Sequence, residues 1–419
     1  MELKRKSIKG MTLALLMLIA AMAGCIGTED ETTEEAEETK AAFLDASDAG
    51  YTYASNVDNH RSLMQDLCDI KTAASESNWA EAKSIYTDGK NAEKSDGSFR
   101  TLAGFAAAEG KNHNYDSFYN QTGAIGAHIM AAMDGTGDFE GASDTVRYQG
   151  IAKLTANMGM VGYTIHELNA AVAKADAGNT DNDSGAPHNW DEGWAFFHGP
   201  DEHWSCSPAY TMKKRAADYG TETNGVSNAL AASEQAMVDG LAALQAGDEA
   251  GYDAATETVI KNIIITYSQA TLKYTMKMDS NESAAKYQAE GYAFWKTMEA
   301  YAAPYTDGCY NMQVHKVFMM GDIDASTCDA FMWTQHQGQG DFMCYNTVTH
   351  QVSTDVSNET ECDGYSNATF MDMYGADKIN EILNLKDASK HGTSYDIAPH
   401  LERVWAHYGI TAEDIGTYQ

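Results

Sequence analysis

Between Ile151 and Val172 the apolar residues Ile151, Leu154, Met158, Val161, Ile165, Leu168 and Val172 recur at alternating steps of three and four. Only a helix places all seven on one face, so this stretch is predicted to be helical and to bury that face against another element. Gly159, Gly162 and Ala156 on its other faces let a second helix approach closely. A further helix is predicted from about Ala254 to Met278, where Ile260, Ile263, Ile264 and Ile265 call for burial on more than one side. Proline, which breaks helices, occurs only five times in the chain.

These two helices read as copies. VGYTIH at 161–166 parallels LKYTMK at 272–277, and each is followed by a related block, DEGWAFF at 191–197 and AEGYAFW at 289–295. Two matching blocks in the same order point to an internal duplication. The fold expected is mainly α: two related helical-bundle units with a disulfide-stapled, irregular C-terminal insertion. The boundaries follow the blocks, with a first unit over 41–215, a second over 216–320, and the Cys-containing insertion and C-terminal helices over 321–419.

The N-terminus carries a different message. Lys4, Arg5, Lys6 and Lys9 precede an apolar run from Met11 to Ala23, and Met22-Ala23-Gly24-Cys25 closes it. That is a signal peptide over 1–24 with a lipoprotein cleavage site, so Cys25 is the expected lipidation residue and the membrane anchor. The acidic run at 28–39, within a tether spanning 25–40, cannot bury apolar surface and stays solvated. The expected location is the cell surface.

The whole chain has 61 acids against 28 bases, a formal charge of −33. Such a surface repels nucleic acid and attracts cations. Six later cysteines, Cys68, Cys206, Cys309, Cys328, Cys344 and Cys362, are even in number and lie in an oxidising compartment, so disulfides are expected. Cys344 and Cys362 are the favoured pair, because their short separation makes loop closure cheap. Sequons at Asn120, Asn182, Asn281, Asn358 and Asn367 suit a glycosylated surface protein.

Glu192 and Glu290 hold the same position in the two blocks, each among aromatic residues. An ionised carboxylate there needs a cation or a partner. His188 lies one helical turn before Glu192 and shares its face, whereas Asp191 is turned about 100° away. Oxygen ligands with imidazole suit iron, but helix capping or ion pairing would satisfy these carboxylates equally well. His166, Glu167 and His128 are further candidates that could instead be ordinary core or surface residues. Lys213, Lys214 and Arg215 form the densest basic cluster after the leader, able to hold an anion or to balance nearby carboxylates. Methionines near His315 and His336 raise copper as a weaker alternative. GxSxG, HExxH, Walker A and dinucleotide fingerprints are all absent, so no enzymatic activity is expected.

The blocks HNWDEGWAFFHG (188–199), KKRAADYGT (213–221), AEGYAFWKTMEAYAAPY (289–305) and GITAEDIGTYQ (409–419) occur in order. Over roughly 160 to 419 the chain resembles the Fe-assimilating, low-iron-inducible periplasmic proteins of algae. The resemblance implies a mostly helical extracytoplasmic protein that helps capture iron, ferrous or ferric. It points to Asp191, Glu192 and Glu290 as metal residues and draws attention to Lys213, Lys214 and Arg215, where carbonate or another small anion could sit beside the ion. This chain departs from the family in its lipid anchor and acidic tether; within the chain, Ala289 stands in the second block where the first has Asp191, which sets the two copies apart as metal sites. The competing reading is a structural or adhesive glycosylated surface lipoprotein without a metal.

Overall fold

The computed structural model describes residues 47–106, 114–311, 316–321, 328, 331–335, 342–347, 352–353, 358–366 and 369–419. The signal peptide, Cys25, the acidic tether, His315, His336 and Asn367 lie outside the described residues. The fold is mainly helical, as the sequence predicts. Two compact units divide it. One holds the described residues up to Tyr267 together with Gly416–Gln419, and the other spans Ser268–Ile415. These limits follow contacts, whereas the sequence limits follow the repeated blocks.

The first unit opens with a small antiparallel hairpin, β1 (Ser47–Asp48) and β2 (Tyr51–Thr52). Helices α1 (Asp58–Ser75), α2 (Trp79–Asp88), α3 (Leu102–Ala106), α4 (Asn114–Tyr119) and α5 (Ala124–Asp134) follow. The apolar row from Ile151 to Val172 runs through α6 (Asp144–Lys153), a π-helical turn (Leu154–Gly159) and α7 (Met160–Asp176). Its residues are buried from Ile151 to Leu168, and only Val172 is partly exposed. Next come α8 (Ala186–Phe197), which carries the first aromatic block, and α9 (Pro208–Tyr219). A second small hairpin, β3 (Glu222–Thr223) and β4 (Val226–Ser227), leads to α10 (Asn228–Ala246) and the long α11 (Glu249–Met276), inside which the unit boundary falls.

Helices α7 and α8 pack closely because Gly193 faces α7. A Cβ there would come within 3.1 Å of the Leu168 side chain. The glycine of the Glu-Gly-aromatic pattern is therefore a packing residue. Gly240 of α10 plays the same part for Trp190. Its missing Cβ would stand 2.2 Å from the indole, and the indole Nε1 donates a 2.7 Å hydrogen bond to the Met237 carbonyl. Gly240→Ala improves helix propensity by about 1 kcal/mol. It also overpacks a fully buried tryptophan, at a cost of roughly 1–3 kcal/mol or more. Chemical unfolding should show a net loss of stability; a gain would mean that propensity outweighs the clash.

The second unit holds the rest of α11, then α12 (Ala284–Ala302) with the second aromatic block. The stapled insertion is more regular than the sequence suggests. Strands β5 (Asp307–Asn311), β6 (Lys316–Gly321), β7 (Phe331–Gln335), β8 (Phe342–Asn346) and β9 (Val352–Ser353) are followed by α13 (Glu359–Ser366) and β10 (Thr369–Met371). They form two three-stranded antiparallel sheets, β10-β5-β6 and β7-β8-β9. Helices α14 (Tyr374–Ile382), α15 (Ala398–His407) and α16 (Ala412–Ile415) complete the unit. All six later cysteines are paired: Cys68–Cys206, Cys309–Cys328 and the predicted Cys344–Cys362. The sequon residues Asn120, Asn182, Asn281 and Asn358 are exposed.

Candidate metal site

Glu192 lies on α8, one turn after His188, and the two side chains share a face as the spacing predicts. His188 Nε2 stands 3.2 Å from Glu192 Oε1. A residue that the sequence does not single out meets the same atom: His60, near the start of α1, places its Nε2 at 3.2 Å from Glu192 Oε1. Two imidazoles thus converge on one carboxylate oxygen. The His60 and Glu192 side chains are 5% and 13% exposed, so their charges are largely withdrawn from water, while His188, at 26%, is the most open of the three. The His60 ring packs edge-on against Phe196 and tilts over Phe105, two aromatic rings that also meet Tyr163.

Asp191 faces elsewhere. Its carboxylate is fully buried and turned to the N-terminal hairpin. Oδ1 accepts a 2.7 Å hydrogen bond from the Tyr51 hydroxyl. Oδ2 accepts from both the Ser55 amide and the Ser55 hydroxyl, each at 2.8 Å. The Ser55 oxygen also lies 2.8 Å from His188 Nδ1. The hairpin itself is fixed by Asp48, which pairs with Arg61 through both carboxylate oxygens and accepts from the Tyr53 hydroxyl.

Burial pushes the Asp191 carboxyl up from its ordinary 3.8 to about 7, against the opposing pull of the Tyr51 and Ser55 hydrogen bonds. Between about pH 4 and 7 the folded chain therefore binds a proton at Asp191 that the unfolded chain has lost. This contribution lowers stability as pH rises through that window and levels off above it. Urea unfolding of metal-free protein should show this slope in the wild type and a flatter profile in Asp191→Asn. Identical profiles would remove Asp191 as its source.

The other predicted residues occupy separate surroundings. Glu167 is buried and accepts a 2.5 Å hydrogen bond from Asn189 Nδ2, while His166 Nε2 is 3.9 Å from Glu167 Oε1. His128 is tied through Nδ1 to the Ala124 carbonyl of its own helix and stacks at a tilt on Tyr119. In the second unit, Glu290 is buried on α12 with Lys286 Nζ at 3.9 Å. Lys213 and Lys214 are exposed and lie over the rings of Trp204 and Tyr210, whereas Arg215 turns inward to Asp218 at 3.0 Å. Among the described residues, no group of three or more His, Cys, Asp or Glu side chains is arranged to hold a metal ion. His60 and His188 each make an ion-pair contact with the same Glu192 oxygen. Their 3.2 Å separations are close to the edge of about 3 Å between neighbouring ligands in an octahedron with bonds of about 2.1 Å.

The first unit is thus a helical scaffold, cross-linked by a disulfide, with imidazole and carboxylate gathered on α1 and α8. The chain belongs to the family of low iron-inducible periplasmic proteins, whose model matches residues 16–323. No curated protein and no solved structure gives a significant match. Among the described residues, no helix is long and apolar enough to cross a membrane.

Proposed function

We propose that the chain captures iron outside the cytoplasm, without catalysing a reaction on it, and is held at the cell surface by a lipid on Cys25. The observation that carries this reading is the meeting of His60 and His188 on Glu192 Oε1 in a protein of a low-iron-inducible family. Two imidazoles and one carboxylate with positions left open are a donor set suited to ferrous iron. An incomplete shell also suits a carrier, since the ion must leave again. The acidic balance of the chain raises the local concentration of cations around it.

Glu290 differs from Glu192 in its neighbour. Lys286 stands four residues before Glu290, as His188 stands four before Glu192, and its ammonium already supplies positive charge near the carboxylate. Lys277 and Ala289 likewise replace His166 and Asp191 in the second block. The second block lacks the imidazoles of the first, so we assign capture to Glu192 alone. Anaerobic titration with Fe(II) should give one equivalent per chain, unchanged in Glu290→Gln. Two equivalents, with one lost in Glu290→Gln, would restore Glu290 as a ligand.

A further inference from the structure

His188 has a polar neighbour at each ring nitrogen, Ser55 at Nδ1 and Glu192 at Nε2, and the neighbour at Nδ1 determines what Nε2 can do. The Ser55 hydroxyl carries one hydrogen and has two acceptor-side neighbours at 2.8 Å, Asp191 Oδ2 and His188 Nδ1. Above about pH 7, where Asp191 is ionised, its carboxylate can only accept. The Ser55 hydrogen therefore points to Asp191, and the lone pair left on the Ser55 oxygen faces Nδ1. Nδ1 must then carry a hydrogen and donate it to Ser55. A neutral imidazole has a single N–H, so Nε2 presents a bare lone pair toward Glu192 Oε1, 3.2 Å away. Two lone pairs at that distance repel, and either a second proton on the ring or a metal ion between the two atoms relieves the repulsion.

The rest of the arrangement holds this direction in place. The Ser55 amide, which can only donate, fixes Oδ2, and the Tyr51 hydroxyl fixes Oδ1. All three donors come from the short segment 51–55 that packs against α8, and Asp191 is fully buried. The carboxylate that the sequence offers as a metal ligand thus has both oxygens engaged and acts at one remove.

We propose that Asp191, acting through Ser55, is a positioning residue that holds His188 in the Nδ1–H tautomer, so that Nε2 is ready to bind a metal ion beside Glu192. The proposal rests on the iron reading for its purpose, but the tautomer itself is a property of the metal-free chain. A carboxylate behind a ligating histidine also raises the basicity of the ring, and loss of such a partner typically weakens metal binding about 10–100-fold.

The test is the ¹⁵N spectrum of the His188 ring in the metal-free full-length chain at alkaline pH, combined with Co(II) titration. The wild type should show a protonated Nδ1 and an unprotonated Nε2. Ser55→Ala should shift the ring toward the Nε2–H tautomer and weaken Co(II) binding about 10–100-fold, and Ser55→Thr should restore both. A protonated Nε2 in the wild type overturns the proposal without recourse to any variant. So does a Ser55→Ala chain, folded by circular dichroism, with unchanged tautomer and affinity. If the wild type binds no Co(II) or Fe(II), the capture reading falls, and the wild-type spectrum still decides the tautomer.

Discussion

Replacing Cys68 and Cys206 together by serine should lower the stability of the first unit by roughly 3–5 kcal/mol. The bridge closes a loop of 138 residues, and chain-entropy arguments give the largest stabilisation to such long closures. Its place in the fold adds a functional consequence. Cys68 lies on α1, the helix that carries His60, and Cys206 lies in the short turn after α8, the helix that carries His188 and Glu192. The bridge thus covalently links the two parts of the chain whose side chains meet at Glu192 Oε1. Urea unfolding of the double variant measures the loss, and a change below about 1 kcal/mol would mean that packing alone holds the helices together. Fe(II) affinity should fall with stability, because His60 reaches Glu192 only while α1 stays seated.

Glu192→Gln should abolish measurable iron binding, a loss of at least about 100-fold in affinity. The substitution keeps the size of the side chain and one carbonyl oxygen, but it removes the charge and turns the other oxygen into a donating NH2. The carboxylate on which both imidazoles converge becomes a neutral amide, a much weaker metal ligand. The same variant should fold normally, since it relieves the cost of a largely buried carboxylate. Iron binding that survives Glu192→Gln at full affinity would place the site elsewhere in the chain.

Much of the scaffold is legible in the sequence because it rests on local periodicity. The apolar row of α6 and α7, the two aromatic blocks and the even cysteine count each report on a short stretch or a simple pairing. The π-helical turn at Leu154–Gly159 is not legible, since the seven apolar positions keep their spacing through it. Nor are the strands of 307–371, which are short and mixed in composition.

The site follows the same division. That His188 and Glu192 meet is legible from their four-residue spacing on one helix. His60 is missed because it lies far away in sequence and reaches Glu192 only through the packing of α1 on α8. The hydrogen bonds of Asp191 are not legible, because its partners Tyr51 and Ser55 lie in a segment, 51–55, that carries no recognisable pattern. For Glu290 the decisive neighbour, Lys286, stands in plain view, and its meaning emerges only when it is set beside His188.

The proposed iron ligand set is His60, His188 and Glu192. X-ray absorption at the iron edge of anaerobically Fe(II)-loaded protein tests it most directly. Two imidazoles should appear as the outer-shell scattering of two histidine rings around a six-coordinate nitrogen and oxygen shell, reduced to one ring in His60→Ala. A shell of oxygen alone, or a spectrum unchanged by His60→Ala, would contradict the assignment.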